Sequence, residues 1–246
     1  MCYNISNSNR EEKTLEKRLG AKYPKKLGPI KPVFSVSGFA HPELAILTAE
    51  QPQEFALYNW GLIPSWTPSE ELAKQFRTNN LNAKSETIYE KRSFSSAIKS
   101  KRCLIPVTGF FEWRELNKLK YPYHIGIANN DLFCLGGIYD TWLNKETGEL
   151  KNTFSIITTA ANPLMAKIHN VKLRMPFIVP QAMEEAWLSN NLSEAEIKNQ
   201  MQPFDENLMS AHTISKRITS RIDNPNVEET LLPFIYPEIE AYDGMF

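Results

Sequence analysis

Arg102-Cys103-Leu104-Ile105-Pro106-Val107-Thr108-Gly109-Phe110-Phe111-Glu112-Trp113 is the stretch whose reading decides the fold class. Residues 103–107 are a short apolar run bounded by a Thr-Gly pair, which reads as a buried strand. The strand runs through Thr108-Gly109 into a glutamate set among three large aromatics. Outward from it, runs of the same kind occur at 44–48, 55–60, 123–127, 133–139, 154–159 and 177–179, most of them rich in β-branched or aromatic residues. Helical signals are fewer. They cover 10–19 ended by Gly20, 86–98, Asn162-Pro163 as cap and first position leading to His169, 181–190, and 193–201. Residues 22–32 read as loop because prolines and glycines suppress regular structure there. The pattern shows no βαβ alternation, repeat, dinucleotide fingerprint or phosphate loop. It predicts an α+β fold in one continuous domain, with a mainly β core and helices packed around it.

The 246 residues are 42% hydrophobic and 23% charged with zero formal net charge, so overall charge does not announce a polyanion partner. The distribution is uneven. From Leu72 to Cys103 eight basic residues (Lys74, Arg77, Lys84, Lys91, Arg92, Lys99, Lys101, Arg102) face two acids, whereas 222–246 holds six acids and no Lys or Arg. The basic stretch is either a local polyanion surface or a solvated face. Cys2, Cys103 and Cys134 are odd in number and widely spaced, which argues against a disulfide framework and a structural zinc site and for a reducing, cytoplasmic setting. The polar first residues and the lack of a long apolar run predict a chain with no signal peptide and no membrane partner.

Cys2 stands where loss of the initiator Met1 would leave an α-amine and a thiol on one residue. Their ordinary pKa values, about 8 and about 8.5, keep both partly nucleophilic at neutral pH. An aldehyde suits such a pair, because the amine forms an imine and the sulfur closes a five-membered thiazolidine. Position alone also allows Cys2 to be an ordinary terminal residue. Glu112 is either a general acid/base whose pKa is raised by its aromatic neighbours or a carboxylate on an outer strand face. His169, at a helix end five residues before Arg174, is either a proton shuttle or structural. His212 is a second histidine for the same pocket. Trp60 reads as core, and Trp66, in a polar loop, reads as a base-stacking platform.

Taken in order, Met1-Cys2, Trp60-Gly61-Leu62-Ile63-Pro64-Ser65-Trp66, Asn82-Ala83-Lys84-Ser85-Glu86, the 102–113 stretch, 169–179 and His212-Thr213-Ile214-Ser215 resemble the SOS response-associated peptidase (SRAP) family. Members of that family crosslink to abasic sites in single-stranded DNA. The resemblance implies a single-domain, β-rich SRAP-like fold over 1–235, with a mixed, barrel-like β core, surrounding helices and an acidic tail at 236–246. It implies Cys2 as nucleophile, Asn82 positioning the α-amine and opened sugar, and Glu112 and His169 exchanging protons. It also implies Lys84, Arg92 and Arg174 on DNA phosphates and Trp66 beside the bases. Autoproteolytic release of the first residue, a peptidase-type and lyase-type enzyme, no cofactor or metal, a monomer, and nucleoid association on damaged DNA belong to the same expectation. The chain departs from the family where Tyr3-Asn4 stands in place of Gly-Arg, where Lys84 stands in place of Arg, and in the longer His169 to Arg174 spacing. Two other readings fit the residues: a non-catalytic single-stranded DNA binder, and an N-terminal-cysteine amidohydrolase.

Overall fold

The structure, a computed structural model, describes residues 2–128 and 132–243. Met1, whose removal is expected above, and 244–246 of the expected tail lie outside the described residues. In chain order the strands are β1 (Asn4–Asn7), β2 (Val33–Ser37), β3 (Glu43–Thr48), β4 (Ala56–Trp60), β5 (Asn82–Lys84), β6 (Arg102–Val107), β7 (Gly109–Leu116), β8 (Leu119–Ile127), β9 (Phe133–Leu143), β10 (Leu150–Ala160), β11 (Arg174–Pro176), β12 (Ile178–Val179) and β13 (Met209–Thr213). The helices are α1 (Glu12–Leu19), α2 (Glu70–Asn79), α3 (Ala97–Ser100), α4 (Pro163–Ile168), α5 (Glu184–Leu188), α6 (Glu194–Gln200) and α7 (Pro237–Asp243).

The larger sheet closes on itself. β10 pairs with β4, β4 with β3, β3 with β6, β6 with β9, and β9 again with β10, so five strands form a barrel without free edges. The β4–β10 pair is parallel and the others antiparallel, which makes the barrel mixed. The C-terminal half of β10 runs past this ring and takes β5 in parallel register and β11 in antiparallel register. A second sheet, ordered β13-β8-β7-β1-β2, packs on the barrel. Ile5 and Phe110 from that sheet, with Cys2 just ahead of β1, share one apolar cluster with Trp60, Ile105, Leu135 and Ile156 from the barrel strands. Trp60 is fully buried, as the sequence predicts, and its indole donates to the Leu81 carbonyl at 2.8 Å.

Local chemistry explains the ends of the helices. α1 stops at Gly20, which takes a left-handed φ of 63°. Asn162 accepts from the Met165 N–H with Pro163 in the first position of α4, and Ser193 and Glu196 form a reciprocal capping box on α6. The helix expected over 86–98 is a correction. The segment is a chain of turns that becomes helical only in α3. Ile88 and Phe94 both enter the same core cluster, although positions six apart point about 120° from one another on a helix, and the turns between them bring both side chains inwards.

The basic stretch is also less of a surface than its composition predicts. Arg102 is fully buried, its guanidinium donating to the carbonyls of Ile98, Lys99, Trp187 and Ser189. Lys101 pairs with Asp140 at 2.6 Å. These two charges hold the fold together. Among the described residues no helix is long and apolar enough to cross a membrane.

Candidate active site

β1 lies between β2 and β7, hydrogen-bonded antiparallel to both, with Asn4 opposite Phe111 and Ile5 opposite Phe110. Pairing on both sides fixes β1 and so sets Cys2, two residues ahead of Asn4, near Glu112 of β7. Cys2 is fully buried, its Sγ 3.6 Å from the Asn4 carbonyl. Burial pushes its thiol pKa far up, and the nearby Glu112 carboxylate adds to the effect.

The Cys2 carbonyl accepts a 2.9 Å hydrogen bond from Asn82 Nδ2. A carbonyl only accepts, so this contact settles which way the Asn82 amide faces. Its Oδ1 is buried and has no hydrogen-bond partner among the described residues. An unpaired buried acceptor is rare enough to call for a reason, and this one lies on the residue that grips the start of the chain. Asn82 owes its position to β5, whose parallel pairing puts it opposite Ile156 of β10.

Glu112 and His169 meet from different elements, Glu112 on β7 and His169 at the C-terminal cap of α4. His169 Nε2 is 3.4 Å from Glu112 Oε2, and Nδ1 is 2.9 Å from the Arg174 carbonyl. Because that carbonyl can only accept, Nδ1 carries the hydrogen and Nε2 faces Glu112 bare. Burial pushes the Glu112 carboxyl up to about 8 and the His169 imidazole down to about 4. At neutral pH the contact is therefore a protonated carboxyl against a neutral imidazole, a pair able to give and take one proton without placing a net charge in the core.

A cleft of about 560 Å³ opens onto this pair, lined by Tyr3, Lys84, Glu112, Trp113, Glu115, Lys120, His169, Val171, Lys172, Arg174 and Thr219. Four of these are cations. Lys84 is exposed at the end of β5. Arg174 is engaged, with Nη1 on the Glu86 carboxylate and Nη2 on the Thr158 carbonyl. Both reach the cleft through β10, where Lys84 pairs with Thr158 and Arg174 with Ala160.

The structure thus gathers Glu112, His169, Lys84 and Arg174 around the start of β1. Trp66 and Arg92 sit outside the cleft lining and cover one another, the guanidinium carbon 4.3 Å from the ring centroid. The indole keeps 38% exposure and packs edge-on with Phe76. His212 does not join the cleft. It packs against His124 with ring centroids 5.5 Å apart and bonds the Leu231 carbonyl. Sequence reasoning missed Tyr3, Lys120 and Lys172 as cleft residues. Adjacency to Cys2 was a signal for Tyr3, whereas Lys120 arrives only through the pairing of β8 with β7.

The SOS response associated peptidase (SRAP) family profile matches residues 1–221. The chain belongs to the SRAP family. Among its SRAP relatives, abasic site processing protein YoqW of Bacillus subtilis is 35% identical over 183 residues, 74% of this chain and 78% of that protein. Abasic site processing protein HMCES of Gallus gallus is 32% identical over 198 residues, 71% of this chain and 56% of that protein. A crystal structure of a protein from Bacteroides thetaiotaomicron, 39% identical, superposes with a TM-score of 0.89 over 95% of this chain and all of that one. A Bordetella bronchiseptica protein at 21% identity and TM-score 0.75, covering 87% of this chain and 100% of its own, shares the fold. The single-domain mixed barrel with surrounding helices agrees with these SRAP-like structures.

Proposed function

We propose that this chain processes abasic sites in single-stranded DNA by capturing the ring-opened aldehyde on Cys2 as a thiazolidine. The observation that carries the reading is the grip on Cys2: Asn82 Nδ2 holds its carbonyl while the buried Asn82 Oδ1 has no partner among the described residues. Once Met1 is gone, an α-amine at Cys2 supplies the donor that this oxygen needs. The curated relatives named abasic site processing proteins supply the substrate class.

The amine adds to the C1′ aldehyde to give a carbinolamine. Protonated Glu112 gives its proton to the hydroxyl, water leaves, and the N–H proton returns to Glu112 as the neutral imine forms. The Cys2 thiol then adds to the imine carbon, its proton passing through the Glu112–His169 pair to the nitrogen. Aldehyde, amine and thiol become one thiazolidine and one water, and reversal runs the same proton path backwards. The thiol enters as the neutral form that burial enforces, so amine attack comes first. Lys84, Lys172 and Arg174 carry the charge that receives the DNA backbone, and Trp66 with Arg92 offers a second platform farther along the strand. Hydrolysis of the Met1–Cys2 bond by the same site makes the chain a peptidase towards itself, and the reversible covalent step is lyase-type chemistry. The protein acts as a monomer.

The test mixes purified protein with single-stranded DNA bearing one abasic site, followed by a denaturing gel and an intact mass. A product with the mass of the Met1-less chain plus DNA minus one water is expected, absent with undamaged DNA and with Cys2→Ala. Crosslinking retained by Cys2→Ala would overturn the assignment of the nucleophile.

A further inference from the structure

The turn between His169 and Arg174 carries two apolar side chains that the chemistry above does not use. Val171 is 57% exposed and Leu173 52% exposed. Leu173 also adopts a left-handed φ of 52°, a conformation that glycine or asparagine accepts far more readily than leucine. The turn is not loose. The Lys172 and Leu173 N–H groups both bond the His169 carbonyl, at 3.2 and 2.9 Å. The Asn170 side chain clamps both backbone groups of Glu115 on β7, at 3.0 and 2.8 Å. Leu173 in turn accepts from the Ala161 N–H at 3.0 Å. A turn pinned at these points holds a leucine in a strained conformation with half its surface in water. The left-handed backbone closes the turn into β11, but an apolar side chain exposed at 173 serves neither the turn nor the core, and with Val171 beside it this is a sign of function.

Its surroundings indicate what it meets. Val171 and Lys172 line the same cleft as Glu112 and His169, with Lys84 and Lys120 among the other cations there. Apolar surface set among cations matches a nucleobase face beside its phosphate, and apolar side chains that wedge against bases are a recurring way to hold a distorted strand. We propose that Val171 and Leu173 form an apolar wedge that packs on the face of the base next to the abasic sugar, while Lys172 takes the adjoining phosphate. This inference rests on reading the cleft as a single-stranded DNA site. The wedge favours a neighbour that is unpaired and unstacked, and it tolerates any base because each presents the same kind of face.

The test measures non-covalent binding by fluorescence anisotropy, so that it does not depend on the crosslink. The first oligonucleotide carries one tetrahydrofuran abasic analogue, which cannot ring-open, between normal nucleotides. The second carries tetrahydrofuran at the lesion and at both neighbours. The variant is Val171→Ser with Leu173→Asn, which removes the apolar surface and places a residue suited to the left-handed backbone at 173, so the fold is kept; a thermal melt checks this. On the first oligonucleotide the variant binds roughly tenfold more weakly than the parent, from partial burial of two aliphatic side chains. On the second the ratio between parent and variant collapses towards one. An equal loss on both oligonucleotides, or no loss on either, overturns the wedge and leaves the DNA reading standing. A parent protein that binds neither oligonucleotide overturns the DNA reading itself.

Discussion

Glu112→Gln separates the carboxyl's proton from its shape. The glutamine amide can still donate to the bare Nε2 of His169, so the 3.4 Å contact survives in neutral form. The free energy of the pair depends on pH through two opposed terms. His169 is lowered from 6.5 to about 4 in the folded chain, so it destabilises the fold as pH falls below 6.5 and is silent above. Glu112 is raised from 4.5 to about 8, so from pH 4.5 upwards the unfolded chain has released a proton that the folded chain keeps, and stability falls until pH 8. Between pH 6.5 and 8 only the Glu112 term operates. At about 1.4 kcal/mol per pH unit it removes about 2 kcal/mol, or roughly 4–8 °C in melting temperature for a chain of this length. The assay is urea or thermal unfolding of both proteins at pH 6.5 and 8. The parent loses that stability over the window and the glutamine variant does not. Parallel curves for the two proteins would show that Glu112 is ionised at neutral pH, and the proton path drawn above would fail. In the crosslinking assay the variant slows by about a hundredfold, and the parent slows as pH passes 8 because the acid form is lost.

Asn82→Ala removes the donor on the Cys2 carbonyl and, in the Met1-less chain, the Oδ1 that accepts from the α-amine. The unfolding free energy falls by about 1 kcal/mol or more, and single-turnover crosslinking slows at least tenfold; a variant that crosslinks at the parent rate would remove Asn82 from the site. Arg102→Met strands the carbonyls of Ile98, Lys99, Trp187 and Ser189 in the core and costs about 3 kcal/mol or more in urea unfolding. Arg102→Lys does not restore it, because three donors on a point charge cannot replace a planar five-donor fork. Parent-like stability in either variant would return Arg102 to the surface reading.

Local signals reached as far as local physics does. Gly20, Asn162-Pro163 and Ser193 marked helix ends correctly because caps are satisfied within a few residues. β1, β2 and α2 passed unread. β1 is held by β2 and β7, which are far away in sequence, and α2 depends on the Ser69 cap and on burial of Ala73 against Ile63 and Trp142. The 86–98 segment failed in the opposite sense, its composition favouring a helix where the chain instead turns repeatedly and brings Ile88 and Phe94 into one buried cluster.

By itself the sequence determined the kinds of chemistry available: an amine and thiol at Cys2, a carboxyl among aromatics at Glu112, an imidazole at a helix end, and a β-rich domain able to carry them. Which of these groups meet was decided by the tertiary structure. The C-terminal half of β10 brings Asn82 and Lys84 from one side and Arg174 from the other, and β7 places Glu112 against His169. The protonation of that pair comes from burial by the whole fold. Strand pairing between distant segments and removal of water are collective properties of the packed chain, and no window of residues contains them.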